Sequence, residues 1–470
     1  MDELKQSADG VFDQFRIAYG EGLTPTEQLL KYFGERSFLR FWSHANPHAT
    51  PSQEFCDLLV ICRDYVIVFS DKSIDFQFHK DERIAWPRWY RKAVAKSARQ
   101  LDGAVRHLFD LQAPIYKDRS CTVPLGISIP PPDRAQIYRV AVVSLSKEVS
   151  DAIPPQPFMA IDGAVVGDQH VDDGAIPFRL GDVSPDSEFV HVIDLAGLWA
   201  VLSDLDTITD FARYLDARRA FIRGQAGNSA ASEWCMLTRY LLSFTDVGDP
   251  LPLDSAYPSH THLSNAEWQS ESTKATFRAR KEANRDSYLW DLLVDRQAEM
   301  IERQSFEFST YSCVRDAERV VRHLALETRL NRRLLGRAWK EACLIAAPGQ
   351  AANIRTVPHG DNDATTYVFF TLMKPDGVTN DEYRQRRRDL LQNMVLASLI
   401  DVPTSKVTIG IASELGQLPD SYDLLHFNVA EDANQDSIQA DAKACWDLKK
   451  QFFGCPRLTV VDERDIPPSE

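Results

Sequence analysis

Two short β-rich runs separated by only two residues constrain the fold of this chain more than any other feature. The runs are Phe55–Cys62 and Tyr65–Ser70, and Arg63-Asp64 between them fits the loop of a β-hairpin. From Trp86 to Phe109, apolar residues then recur at three- and four-residue steps, which is the spacing of an amphipathic helix. Another apolar run, Gln136–Leu145, is expected to be a buried strand. Together these elements predict an α/β fold with helices packed on a sheet.

An acid and an amine stand at the ends of the two predicted hairpin strands. Asp57 begins the first strand and Lys72 follows the second. Because a hairpin brings these ends together, we expect the carboxylate and the ammonium at one end of the sheet. Glu27, on a helix predicted to begin at Thr24-Pro25, would reach the same edge, and it is also placed to act as the capping-box partner of Thr24. Carboxylates bind Mg²⁺, and a cation and a lysine can together activate water beside a phosphate. This set of residues therefore indicates hydrolysis of a phosphodiester.

Residues 20–145 resemble the PD-(D/E)XK nuclease superfamily, the fold of many restriction endonucleases. In that superfamily a helix with Glu precedes a strand with Asp, a hairpin, a strand ending in (D/E)xK, and a helix packed on the sheet. The resemblance implies a restriction-endonuclease-like mixed sheet with flanking helices. It assigns the metal aspartate to Asp57, the lysine to Lys72 and the helix glutamate to Glu27. It also implies Mg²⁺ or Mn²⁺ as cofactor, nucleic acid as substrate with DNA the expected form, and a setting in restriction or defence.

One position departs from the pattern of that superfamily. Ser70 stands two residues before Lys72, where the family has Asp or Glu, and strict strand alternation would point the adjacent Asp71 to the opposite face. A bulge could turn Asp71 inward, Ser70 could fill the place through a water molecule, or the metal site is weakened. Two functions follow: a nuclease whose metal ligands are Glu27, Asp57 and Asp71, or an inactive nuclease-fold module that binds nucleic acid or a partner protein.

The predicted long helix carries further candidate residues. Ser97 and Gln100 lie on or beside its apolar stripe, where a polar side chain needs a partner. Several branches of the superfamily place Gln or Lys from this helix beside the metal, which implies a catalytic role for Gln100; a hydrogen bond to a backbone carbonyl is the alternative. The outer side of the helix is basic, suited to phosphates or simply to solvent, and comprises Arg88, Arg91, Lys92, Lys96 and Arg99.

Charge, cysteines and hydropathy narrow the class of protein without naming a function. The 53 basic and 68 acidic residues give a net charge of −15, which excludes coating of nucleic acid by bulk charge but not a local basic groove. No apolar run approaches the roughly 20 residues that span a bilayer, so we expect no membrane association. The acidic, polar N-terminus is not a secretory signal, and eight scattered cysteines without a CxxC motif indicate free thiols. A cytoplasmic protein is therefore expected.

Proline-rich and polar stretches divide the chain into three predicted regions. These are a nuclease-like domain at residues 1–150, an accessory α/β domain at 151–265, and a region at 266–470 with long helices at Lys274–Gln304 and Ser312–Ile345 followed by an α/β sandwich. From Thr366 to Val461 the order βαββαβ is typical of a ferredoxin-like (split βαβ) sandwich. The first 220 residues also resemble a family of uncharacterised bacterial proteins, which implies no activity. The sequence is compatible both with a homo-oligomer and with a complex that contains a defence-system protein.

Overall fold

The computed structural model describes residues 25–146, 156–224, 227–243, 261–303, 314–344, 350–358, 365–416, 421–428 and 435–453. The described residues form two compact units. The first lies within Met1–Arg285 and Asp291–Leu330, and the second within Asp286–Trp290 and Asn331–Glu463. Both combine helices with a mixed sheet, so the predicted α/β class is confirmed. No helix among the described residues has the length and apolar character needed to cross a membrane.

The first unit begins with the predicted helix and hairpin. Its first elements are α1 Pro25–Ser37, β1 Ser43–Ala45, β2 His48–Thr50, β3 Gln53–Glu54, β4 Leu58–Cys62, β5 Tyr65–Ser73, α2 Glu82–Tyr90, a π-helical turn Arg91–Ala95, α3 Lys96–Phe109 and β6 Gln136–Ser144. The chain continues with β7 Ala160–Val166, a 3₁₀ turn Gly167–His170, β8 Arg179–Asp182, β9 Val190–Asp194, α4 Leu195–Asp204, α5 Ile208–Gly224, β10 Ser229–Ala230, α6 Glu233–Leu242, β11 His262–Leu263, α7 Asn265–Gln269, α8 Glu271–Ala283, a 3₁₀ turn Asn284–Ser287, α9 Tyr288–Glu302 and α10 Val314–Ala325.

A five-stranded sheet in the order β1-β4-β5-β6-β9 organises this unit. β1, β4 and β5 pair antiparallel, whereas β5, β6 and β9 run parallel. The hairpin is confirmed: Cys62 pairs with Tyr65, and Arg63 adopts a φ of 56° in the turn. Because β9 comes from residues after 150, the predicted boundary at residue 150 runs through one sheet. A second sheet has the order β11-β10-β7-β8.

Both faces of the hairpin are buried, which explains why its strands are apolar almost throughout. On one face, Leu59 and Val68 belong to the core that α2 and α3 cover. On the other face, the ring of Phe69 contacts Phe38, just after α1, and stacks on Phe211 of α5 at 6.0 Å. The site described below lies where this buried hairpin ends.

A π-helical turn keeps the long predicted helix in phase with the sheet. Its buried residues occur in pairs every four positions, at 85–86, 89–90, 93–94 and 97–98. A regular α-helix turns in 3.6 residues and would drift away from such a spacing. The N–H of Lys96 donates to the carbonyl of Arg91, which is the five-residue bond of a wider turn. This turn lets one buried and one exposed stripe continue from α2 into α3.

The two long helices predicted for the third region are interrupted. The first is broken by the 3₁₀ turn Asn284–Ser287, and the second ends at Ala325 and resumes as α11 at Arg329–Leu344. The remaining elements are β12 Ala352–Pro358, β13 Thr365–Leu372, α12 Asn380–Asp401, β14 Val407–Glu414, β15 Tyr422–Asn428 and α13 Gln435–Phe453.

The ferredoxin-like arrangement predicted for the C-terminal region is wrong, although its helices and its first three strands are present. A split βαβ unit needs a strand between β13 and β14, but these two strands pair directly and in parallel in the order β12-β13-β14-β15. Gly410 on β14 favours close packing of α12, since a Cβ there would lie 2.5 Å from Cγ2 of Val395. The unforeseen strand β12 covers the edge of β13. The predicted strand Arg457–Val461 lies outside the described residues.

Candidate functional site

Strand register decides which side chains share the end of the hairpin. Leu58 pairs with Phe69, so Asp57, one residue earlier, lies opposite Ser70. The pairing of β5 with β6 continues without a shift from Tyr65 to Ser73, so no bulge turns Asp71 inward. Alternation along β5 therefore puts Ser70 and Lys72 on the face of Asp57, and Asp71 on the other face.

Asp57 and Lys72 meet as the sequence predicts. Nζ of Lys72 lies 3.8 Å from Oδ2 of Asp57 and donates a hydrogen bond to the backbone carbonyl of Asp71 at 2.9 Å. The two side chains are 20% and 11% exposed, so solvent reaches the pair without surrounding it. Burial raises the pKa of Asp57, and the Lys72 ammonium and the N–H of Asp71 partly oppose this rise. Asp57 is thus a largely buried carboxylate beside the cation of Lys72.

Asp71 is held on the opposite face by α1. The hydroxyl of Thr26 donates to Oδ2 of Asp71 at 2.5 Å and accepts a hydrogen bond from Ser73 at 3.1 Å. Burial raises the pKa of Asp71 to about 7, and the charge of Asp57 adds to this effect. Oδ1 of Asp71 is buried and has no hydrogen-bond partner in the part of the chain that the structure describes. The backbone N–H of Asp71 nevertheless donates to Oδ2 of Asp57 at 2.5 Å.

Two glutamates bring further negative charge to this end of the hairpin. The carboxylate of Glu27, on α1, raises the pKa of both Asp57 and Asp71, so the sequence placed it near the correct edge. Its proposed capping partner Thr24 lies outside the described residues. Sequence reasoning missed Glu54 on β3, whose pKa is raised by burial and by the charges of Asp57 and Glu27. Its position three residues before Asp57 was the only signal available.

The long helix contributes a serine to this site. Ser70 donates to the hydroxyl of Ser97 at 3.4 Å, and Ser97 in turn donates to the carbonyl of Ala93 at 2.7 Å. Ser97 is fully buried, as its place on the apolar stripe predicts. Gln100 is exposed on the same helix, so its catalytic role stays a prediction.

The donor set has the chemistry of a hard-cation site but does not form a closed cage. In the described residues, no group of three or more His, Cys, Asp or Glu side chains is arranged to hold a metal ion. The charges of Glu27, Glu54, Asp57 and Asp71 nevertheless act on one another at this end of the hairpin, and Asp57 lies beside Lys72. Mg²⁺ is commonly held by only one or two carboxylates, with water and substrate phosphates completing its shell. The residues present fit that mode of binding.

Comparison with known proteins found no matching family model, no matching curated protein and no matching solved structure.

Proposed function

We propose that this protein is a metal-dependent nuclease of the PD-(D/E)XK type that hydrolyses phosphodiester bonds of DNA. The observation that carries the proposal is the 3.8 Å approach of Lys72 to Asp57 at the end of the hairpin. The order α1, β4, β5, then the helix covering the sheet, supports it, since the superfamily has this order. β6 then returns parallel to β5.

The chain's own residues divide the work as follows. Asp57, with Glu27 or Glu54, would hold Mg²⁺, which when bound lowers the pKa of water and neutralises phosphate charge. Lys72 orients the attacking water and offsets the negative charge that develops on the phosphate. Its bond to the carbonyl of Asp71 fixes the ammonium at the mouth of the site. The carboxylates favour this assignment, because a bound cation would offset both the burial and the charge of Glu27, which raise the pKa of Asp57.

A second candidate is a module of the same fold that binds nucleic acid or a protein without cutting. The observation that favours it is the position of Ser70. Ser70 occupies the face shared by Asp57 and Lys72, where the superfamily has a carboxylate, while Asp71 is engaged by Thr26 on the opposite face. In this case Asp57 and Lys72 form a structural ion pair.

Cleavage assays separate the two candidates. Purified protein is incubated with supercoiled, linear and single-stranded DNA and with RNA, in Mg²⁺ or Mn²⁺, and compared with Lys72→Ala and Asp57→Asn. Lys31→Ala is the matched control, because Lys31 is a half-exposed lysine of α1 paired with Glu35. A nuclease loses cleavage in both site variants and retains it in the control. Intact substrates under every condition, or cleavage that survives Lys72→Ala, would contradict the proposal.

Calorimetric titration with Mn²⁺ gives an independent measurement. Asp57→Asn is expected to weaken the binding of Mn²⁺ at least tenfold in the nuclease, because one of few ligands is lost. The non-cleaving module gives no Mn²⁺ signal in either form.

A further inference from the structure

Five cations form an exposed stripe along the helix that covers the candidate site. All are exposed, and none forms an ion pair or hydrogen bond with any residue the structure describes. The members of this basic stripe are Arg88, Arg91, Lys92, Lys96 and Arg99. The stripe is continuous because the π-helical turn keeps the exposed side in phase.

Acids of the same helix do not neutralise the basic stripe. Asp102 contacts Arg139 of β6 at 3.0 Å, and Asp110 contacts Arg106 at 3.9 Å. Elsewhere in this chain arginines are drawn into ion pairs: Arg387, for example, is fully buried against Asp423 at 2.6 Å. The basic stripe thus groups five exposed cations without a described ion partner on one helix side, in a protein with a net charge of −15. A negatively charged partner would relieve the mutual repulsion of these five cations.

The helix that carries the basic stripe packs over the end of the strand that carries Lys72. Trp89 donates its indole N–H to the carbonyl of Ile74 at 2.9 Å, and Ser97 contacts Ser70. These two contacts bracket Lys72 and are made by the buried side of the helix, so the helix packs over the candidate site and carries the basic stripe on its outer side.

The length of the stripe matches a row of phosphates. Eleven residue steps from Arg88 to Arg99 cover about 17 Å at a rise of 1.5 Å per residue. One strand of duplex DNA carries a phosphate about every 3.4 Å along the axis, so this length faces roughly five phosphates.

We infer that the basic stripe binds the phosphate backbone of duplex DNA on the outer side of the helix that covers the candidate site. The choice of DNA rests on the proposed function, whereas the choice of a polyanion with charges at fixed spacing rests on the stripe itself. The helix backbone that carries the stripe is already ordered, so binding restricts only the exposed Lys and Arg side chains, which limits the entropic cost of binding.

Fluorescence anisotropy with a labelled 20-base-pair duplex tests this inference in EDTA, where binding is separated from cleavage. The full-length protein is compared with Arg88→Ala/Arg99→Ala and with Arg384→Ala/Arg386→Ala. The second variant is the matched control, because Arg384 and Arg386 are exposed arginines of α12 without a described ion partner. We expect the stripe variant to lose affinity at least about tenfold near 0.1 M salt and to reduce the slope of log K against log salt by about two. The control should stay within about twofold.

Three results would overturn the inference: no binding of duplex by the parent protein at low salt, equal losses in the two variants, or stripe-dependent binding to phosphatidylserine vesicles and not to DNA. Single-stranded DNA and RNA are measured in parallel, and tighter stripe-dependent binding of either would overturn the choice of duplex DNA. If the protein binds DNA through the stripe but does not cleave it, only the proposed nuclease activity is contradicted. If the stripe variant still cleaves DNA and binds it with unchanged affinity, only the inference about the basic stripe is contradicted.

Discussion

The backbone N–H of Asp71 donates a 2.5 Å hydrogen bond to Oδ2 of Asp57, although the two side chains lie on opposite faces of the hairpin. The side chain of Asp71 accepts a hydrogen bond from the hydroxyl of Thr26. Asp71 therefore connects α1, on one face of the sheet, to the carboxylate that faces Lys72 on the other. A substitution in α1 that weakens the contact between Thr26 and Asp71 is therefore expected to alter the position of the Asp57 carboxylate.

Replacement of Thr26 by valine tests this connection. Thr26 is buried, and the nearly isosteric Thr26→Val removes the donor to Asp71 and the acceptor for Ser73. Because a buried carboxylate oxygen then lacks its donor, we expect the free energy of unfolding to fall by about 1–3 kcal/mol in urea denaturation. Thr26→Ser keeps the hydroxyl and should lose clearly less. Equal losses in the two variants would show that the methyl group, not the hydrogen bond, matters.

The raised pKa of Asp71 predicts that stability declines as the pH rises. Below about pH 4 the carboxyl group is protonated in both the folded and the unfolded chain. Between about 4 and about 7 the unfolded chain releases this proton while the folded chain retains it. The contribution of Asp71 to the free energy of unfolding therefore falls by about 1.4 kcal/mol per pH unit across this window and is lowest above pH 7.

Asp71→Asn isolates that contribution, because it keeps an oxygen for Thr26 and cannot ionise. Urea midpoints are measured between pH 4.5 and 8 in EDTA. We expect the variant to gain stability relative to the parent protein as the pH rises. Parallel pH profiles would mean that Asp71 ionises as readily in the folded chain as in the unfolded one.

Ser70→Asp should strengthen cation binding, because the new carboxylate shares the face of Asp57 and Lys72. Position 70 is buried, so without metal the added charge beside Asp57 should lower the melting temperature. Mn²⁺ should reverse this loss and stabilise the variant more than the parent protein. Ser70→Asn, similar in volume but uncharged, serves as the control. An equal Mn²⁺ response in the Asp and Asn variants would exclude a metal ion at this face.

Local patterns in the sequence predicted the hairpin and the position of its charged ends, because a two-residue turn fixes the register of Phe55–Cys62 against the following strand. Strict alternation from Ser70 to Lys72 favoured the far face for Asp71, but the sequence left open a bulge that would turn Asp71 inward as a metal ligand; the unshifted pairing of β5 with β6 excludes that bulge. Glu54 was missed because its approach to Asp57 depends on the pairing of β2 with β3, a contact that no periodicity reveals. The C-terminal strand order was wrong for a similar reason, since β13 pairs directly with β14 across the intervening helix α12, a non-local contact.

Arginine-rich segments likewise show what the sequence can and cannot predict. Arg329 and Arg387 each lie in a locally basic segment of this acidic chain, and both form buried ion pairs, with Asp206 at 2.8 Å and with Asp423. The partners themselves lie 123 and 36 residues away and could not be named. The sequence thus shows where cations cluster, whereas the tertiary structure decides whether a cation is paired and with which acid.

A buried ion pair behind the main sheet gives the sharpest stability prediction. Nε of Arg218 lies 2.9 Å from Oε1 of Glu233, both side chains are 4% exposed, and Tyr214 donates its hydroxyl proton to the same oxygen at 2.5 Å. Arg218 also donates to the carbonyl of Val192 on β9 at 2.8 Å. Removing one partner leaves a buried charge unpaired, so Glu233→Gln and Arg218→Met should each lower the free energy of unfolding by about 3–5 kcal/mol. The double variant should lose clearly less than the sum, because no lone charge remains. A double-mutant cycle in urea measures this coupling, and additive losses would contradict a direct energetic link between the two side chains.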